Sequence, residues 1–89
     1  MPTLKERKRY LLFKGNKMIS REEFLIKMKE SFGDFGLAKS GLNLVLTKSN
    51  KGIVQVTHTY TDETQIALSL NDYDVLKISG ILNKLKGGL

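Results

Sequence analysis

Between Leu42 and Tyr60 the chain alternates apolar and polar residues twice, on either side of a tight turn. Leu42, Leu44 and Leu46 alternate with Asn43, Val45 and Thr47. After Ser49-Asn50-Lys51-Gly52 a second alternation runs from Ile53 to Tyr60. Successive strand side chains point to opposite faces, so two such runs around a turn predict an antiparallel hairpin with one face in a core. Val54, Val56 and Tyr60 share the expected inner face, and His58 has their parity. Gln55, Thr57 and Thr59 take the other face. A sheet face of this kind has to be covered by helices or by another sheet.

The flanking segments supply both more sheet and the cover. Lys8 to Lys14 reads as a strand around Tyr10-Leu11-Leu12-Phe13, followed by a turn at Gly15-Asn16-Lys17. Ser20 with Glu23 three residues on has the form of a capping box. A helix over 21–32 is predicted, with Phe24, Leu25, Met28 and Phe32 as its stripe and Gly33 as its stop. Residues 33–41 hold three glycines and read as a connector. Past the hairpin, Thr61 or Asp62 can cap a helix over 62–70 whose inner face is Ile66, Ala67 and Leu70. A turn at 71–74 leads to a strand over 75–79 with Leu76 and Ile78 inward, and Ile81, Leu82 and Leu85 have helical spacing.

The order is strand, helix, strand, strand, helix, strand. It predicts an α+β, ferredoxin-like split βαβ fold of the RNA-recognition-motif type, in which a four-stranded antiparallel sheet carries two main helices on one face. Residues 1–89 form a single domain in this reading. The first and fourth strands are expected on opposite edges. The open face is expected to be polar, with Asn43, Val45, Thr47, Gln55, Thr57, Thr59, Lys77 and Ser79.

Charge narrows the function. The net charge is +6, and six cations (Lys5, Arg7, Lys8, Arg9, Lys14 and Lys17) face the single acid Glu6 in the first seventeen residues. Lys39 precedes the hairpin, and Lys84 and Lys86 close the chain. Cations clustered around a core strand suit a polyanion, RNA above all. The plainer reading is a solubilising lysine surface. A base-stacking platform is not expected, because only Tyr10 could place an aromatic on the open face.

The residues for catalysis are sparse. There is no cysteine and one histidine. Glu22-Glu23 and Asp62-Glu63 are accounted for by helix starts. Asp72 and Asp74 could hold Mg²⁺ but suit a turn better. No HExxH, CxxC or phosphate-loop motif is present. No run approaches the ~20 apolar residues of a membrane span. No secretory signal is expected, and the expected location is cytoplasmic.

Five segments resemble one family in the order in which that family carries them. They are Leu4-Lys5-Glu6-Arg7-Lys8-Arg9-Tyr10 before the first strand; Gly36-Leu37-Ala38-Lys39; Gly52-Ile53-Val54-Gln55-Val56; Tyr60, Glu63, Ala67 and Leu68; and Ser79-Gly80 followed by Lys84-Leu85-Lys86. Together they resemble the archaeal and eukaryotic ribonuclease P protein subunit of the Pop-five family, component two in archaea. The chain departs from the family in a short turn at 15–19, a compact 48–52 hairpin and a short tail. The resemblance implies a non-catalytic subunit that binds and stabilises ribonuclease P RNA, which itself removes the 5′ leader of precursor tRNA. The protein would bind no cofactor, and the Mg²⁺ would belong to the RNA. The implied protein partner is the TIM-barrel-like thirty-kilodalton ribonuclease P protein, with a homodimer contact possible in the assembly. The candidate RNA-binding residues are Lys5, Arg7, Lys8, Arg9, Lys14, Lys39, Lys84 and Lys86. The alternative is a ferredoxin-like protein-interaction or ribosome-associated module unrelated to tRNA processing.

Overall fold

The strand that the N-terminal cations flank is one of the two inner strands of the sheet. The computed structural model describes residues 7–89, with backbone alone at positions 34, 35 and 38. Along the chain lie β1 (Lys8–Lys14), α1 (Arg21–Ser40), β2 (Asn43–Lys48), β3 (Lys51–Thr57), a 3₁₀ turn (His58–Tyr60), α2 (Thr61–Leu70), β4 (Asp74–Ser79) and α3 (Asn83–Lys86). The four strands form one antiparallel sheet in the order β2-β3-β1-β4. This is the expected α+β split βαβ architecture. One expectation about its edges fails. β4 lies directly beside β1, not across the sheet from it, because each βαβ half crosses over and brings its last strand next to the other half's first. The edges are β2 and β4.

Two apolar layers sandwich the sheet. On one face Leu11 and Phe13 of β1 and Val54 and Val56 of β3 meet Phe24 and Met28 of α1 and Leu68 of α2, all fully buried. Phe13 and Phe24 stack with centroids 5.1 Å apart, and Tyr73 meets Phe13 edge-on at 5.2 Å. Such pairs add about 0.5–1.5 kcal/mol beyond the area they bury. The opposite face is not the open polar surface expected. Leu12 and Ile53 form a second apolar cluster there with Leu85 of α3, and Tyr10, Leu46, Leu82 and Leu89 pack around it. The C-terminal segment thus lies across the face that the fold usually leaves open.

A β-bulge explains part of that difference. Leu44 pairs with Val54, but Leu46 pairs with Ile53, so one extra residue is inserted in β2 between them. Leu44 therefore joins the helix-side core and Leu46 the tail-side cluster, where strict alternation places both on one face.

Other expectations are corrected locally. The connector after Gly33 is helical to Ser40, and Gly33 sits between two helical pieces with φ 75° and ψ 165°. Leu25 of the expected stripe is 38% exposed. β3 ends at Thr57, and His58 is exposed in the 3₁₀ turn rather than inward, because the chain coils as the Thr61 hydroxyl donates to the His58 carbonyl (2.8 Å). The inner face of α2 is Thr64, Ala67 and Leu68, leaving Ile66 and Leu70 60% and 74% exposed. In β4 it is Val75 that packs on the core. Leu76 and Ile78 lie largely exposed, since a register shift against Leu12/Phe13 falls beside Leu76 and β4 is an edge.

The hairpin tip is tied to the β1–α1 loop. Gly15 N–H donates to the Asn50 carbonyl (2.7 Å), Ile19 N–H to that of Ser49 (3.0 Å), and Asn50 Nδ2 to that of Gly15 (3.1 Å). Arg21 donates to the Leu44 carbonyl at 2.6 Å, fixing the start of α1 against β2.

Candidate nucleic-acid interface

The two-residue turn at Ser49-Asn50 sets the register of a row of cations. Lys48 of β2 stands opposite Lys51 of β3, Lys51 opposite Lys14 of β1, and Lys14 opposite Asp74 of β4. Neighbouring strands lie roughly 5 Å apart. Three lysines thus cross three strands in line, and by alternation with Leu12, Leu46 and Ile53 they belong to the face that carries the tail. Like charges directly opposite in a sheet are destabilising. Among the described residues the ion pairs are Lys17–Glu23 and Lys27–Glu23, both away from this row. Lys51 Nζ donates to the Gly88 carbonyl at 3.1 Å, which brings the tail to the row.

Of the residues expected to bind RNA, Lys5 lies outside the described residues. Arg7 and Lys8 are exposed, and Arg7 accepts the His58 N–H at its carbonyl (2.8 Å). The Lys8 ammonium and the Thr57 hydroxyl both crowd Gly41, within 3.1–3.3 Å of where a β-carbon there would sit, so Lys8 reaches the end of α1 that carries Lys39. Arg9 crosses to Gly80 just past β4. Lys84 and Lys86 are exposed on α3, which packs through Leu85 on Leu12 of β1. The N-terminal and C-terminal cations therefore lie on neighbouring elements rather than at opposite edges. Sequence reasoning passed over Lys48 and Lys51 as binding residues. The signal was there, since a two-residue hairpin places them opposite each other.

A separate charged group sits at the start of α1. A cleft of about 470 Å³ is lined by Asn16, Lys17, Ser20, Glu23, Lys27 and Tyr73 among others. The hydrogen bond from Lys27, helped by the field of Lys17, holds the Glu23 carboxyl below its ordinary range. Burial works to lower Lys27, but its hydrogen bond to Glu23 and the Tyr73 phenol oxygen outweigh this and raise it; the ammonium also lies 5.1 Å from the Tyr73 ring centroid. Glu23 thus serves this ion-pair network, while the Ser20 carbonyl accepts the first helical N–H, from Phe24.

The arrangement can attract and position phosphates. Among the described residues no three His, Cys, Asp or Glu side chains come together as a metal site requires. Asp72 holds a left-handed turn position (φ 64°). No helix among the described residues is long and apolar enough to cross a membrane. No protein-family model matches the chain, and no curated protein matches it.

Proposed function

We propose that this chain is a non-catalytic, RNA-backbone-binding subunit of ribonuclease P that supports the catalytic RNA in removing the 5′ leader of precursor tRNA. One structural observation carries the RNA part of this reading. The tail occupies the sheet face on which related folds stack bases, and Lys14, Lys48 and Lys51 stand in register beside it. Such a surface suits phosphates and duplex shape rather than base edges. The ribonuclease P part rests on the five segments of resemblance. The location would be cytoplasmic, the Mg²⁺ would be the RNA's own, and the partner would be the TIM-barrel-like thirty-kilodalton protein.

Reconstitution with ribonuclease P RNA and that partner tests the reading. The chain should lower the Mg²⁺ needed for cleavage of precursor tRNA, and the chain alone should cut nothing. Replacing Arg7, Lys8 and Arg9 with alanine should raise the Mg²⁺ requirement again. A holoenzyme indifferent to the chain sinks the ribonuclease P assignment. The protein-interaction reading has one observation in its favour: Ile26 of α1 and Ile66 and Leu70 of α2 are 59–74% exposed on the helical side. Co-purification of the chain with protein and no RNA would favour it.

A further inference from the structure

We infer that the Lys48–Lys51–Lys14 row is the principal phosphate-binding track of this domain, with an RNA strand crossing the sheet at right angles to its strands. The inference rests on the RNA-binding reading and adds to it a site, a direction and residues outside the N-terminal basic run.

Three features single out the row from the other surface cations. It is held by strand pairing, so its lysines stand on hydrogen-bonded sheet backbone and not on a terminal arm. Its members directly oppose one another, and the hairpin turn and the β1–β3 register prevent them from separating. Its acids are few: Asp74 caps one end of the row, and the charge pairs of α1 lie elsewhere. Like charges confined in this way attract a polyanion whose own charges are spaced along a chain, and binding releases that chain's counterions. The tail borders the row through the Gly88 carbonyl on Lys51, with Lys86 two and Lys84 four residues back along the chain. The tail therefore acts as a wall along the track, which favours backbone contact over base insertion.

The test measures affinity for an oligouridylate and for an RNA hairpin across a salt series, with the full chain. Lys14→Gln with Lys48→Gln removes two members of the row and leaves Lys51 on the tail. Lys17→Gln with Lys29→Gln removes the same charge on the α1 side. Lys14→Arg with Lys48→Arg keeps the charge. The row variant should lower the slope of log affinity against log salt by about 1.4 on the single strand, at about 0.7 for each phosphate contact. The α1-side and arginine variants should keep the wild-type slope. Equal losses in the row and α1-side variants would show diffuse attraction and overturn the track. A row variant that binds as the wild type does would also overturn it, while leaving RNA binding by the domain intact. A wild-type chain that binds neither RNA would overturn both.

Discussion

The Arg9 guanidinium lies against the backbone of Gly80, with Nη1 2.7 Å from where a β-carbon on that glycine would sit. The contact joins the N-terminal basic run to the end of β4. An alanine at position 80 has to displace the guanidinium, and a flexible side-chain end moves cheaply. Gly80→Ala should therefore change stability by no more than about 0.5 kcal/mol, as surface substitutions usually do. RNA affinity at low salt should fall if Arg9 contributes from this position. Thermal melting and a binding titration on one variant separate the two effects.

Leu85 holds the tail on the sheet. It is fully buried against Leu12 and Ile53, although the helix that carries it has only four residues. Leu85→Ala should cost about 2–4 kcal/mol, the usual range for truncating a buried leucine. Short of full unfolding, it should release the tail and bare Tyr10, Leu12, Leu46 and Ile53. Increased binding of a hydrophobic dye below the melting transition would report that release. Unchanged dye binding with a lower midpoint would mean the tail stays in place.

The lysine row should weaken the fold that displays it. Lys14→Gln with Lys48→Gln removes cross-strand repulsion, so the free domain should melt at a higher temperature at low salt. The gain should shrink as salt screens the charges. A lower midpoint in the variant would mean that the lysine stems contribute more by packing than their charges cost.

The Glu23 pair gives a pH signature. Its carboxyl is held below its ordinary value of 4.5, so the stability it contributes is present above that value and is lost as pH falls below it. Lys27 is raised above its ordinary 10.5, so its contribution is complete below that value and is lost on further alkalisation. From mildly acidic to mildly alkaline pH neither group changes charge. Glu23→Gln should flatten the acid limb of the thermal midpoint against pH while leaving the middle of the profile parallel to the wild type. An acid limb of unaltered steepness would assign it to other carboxylates.

Local chemistry made most of the architecture legible. Leu11 and Phe13 alternate with Tyr10 and Leu12, which gave β1 its two faces, and Gly33 marked the break in the first helical segment. Several of the misplacements share a physical origin, which is that tertiary contacts interrupt a period. A bulge beside Val45 sends Leu46 across the sheet, and a register shift beside Leu76 exposes a residue that strict alternation buries. The alternation of 53–60 continues in the letters after the backbone has turned into a 3₁₀ coil at His58. Leu82 and Leu85 were readable as a helical pair, but spacing cannot say which surface a short helix meets. The lysine row is a mixed case. Its Lys48–Lys51 pairing follows once the turn is read as two residues, but Lys14 joins it only through the β1–β3 register, which no local pattern states.

Gly33 bears on chirality. Its φ of 75° and ψ of 165° fall in a region that L-residues scarcely enter, yet beyond its chain neighbours and the helix's own backbone no atom stands within 4 Å of an L-residue's β-carbon placed there. The handedness of the amino acid, not its size, is what the position restricts. A D-alanine introduced by chemical synthesis would adopt this backbone without strain and narrow the unfolded ensemble, and should raise stability by about 0.4–1 kcal/mol. An L-alanine would have to bear the strain or fuse the two helical pieces into one rod, which would redirect the approach of Lys39 and Gly41 to the sheet. The mirror-image pair of substitutions at this one carbon would measure how much of the fold depends on that single turn in the backbone.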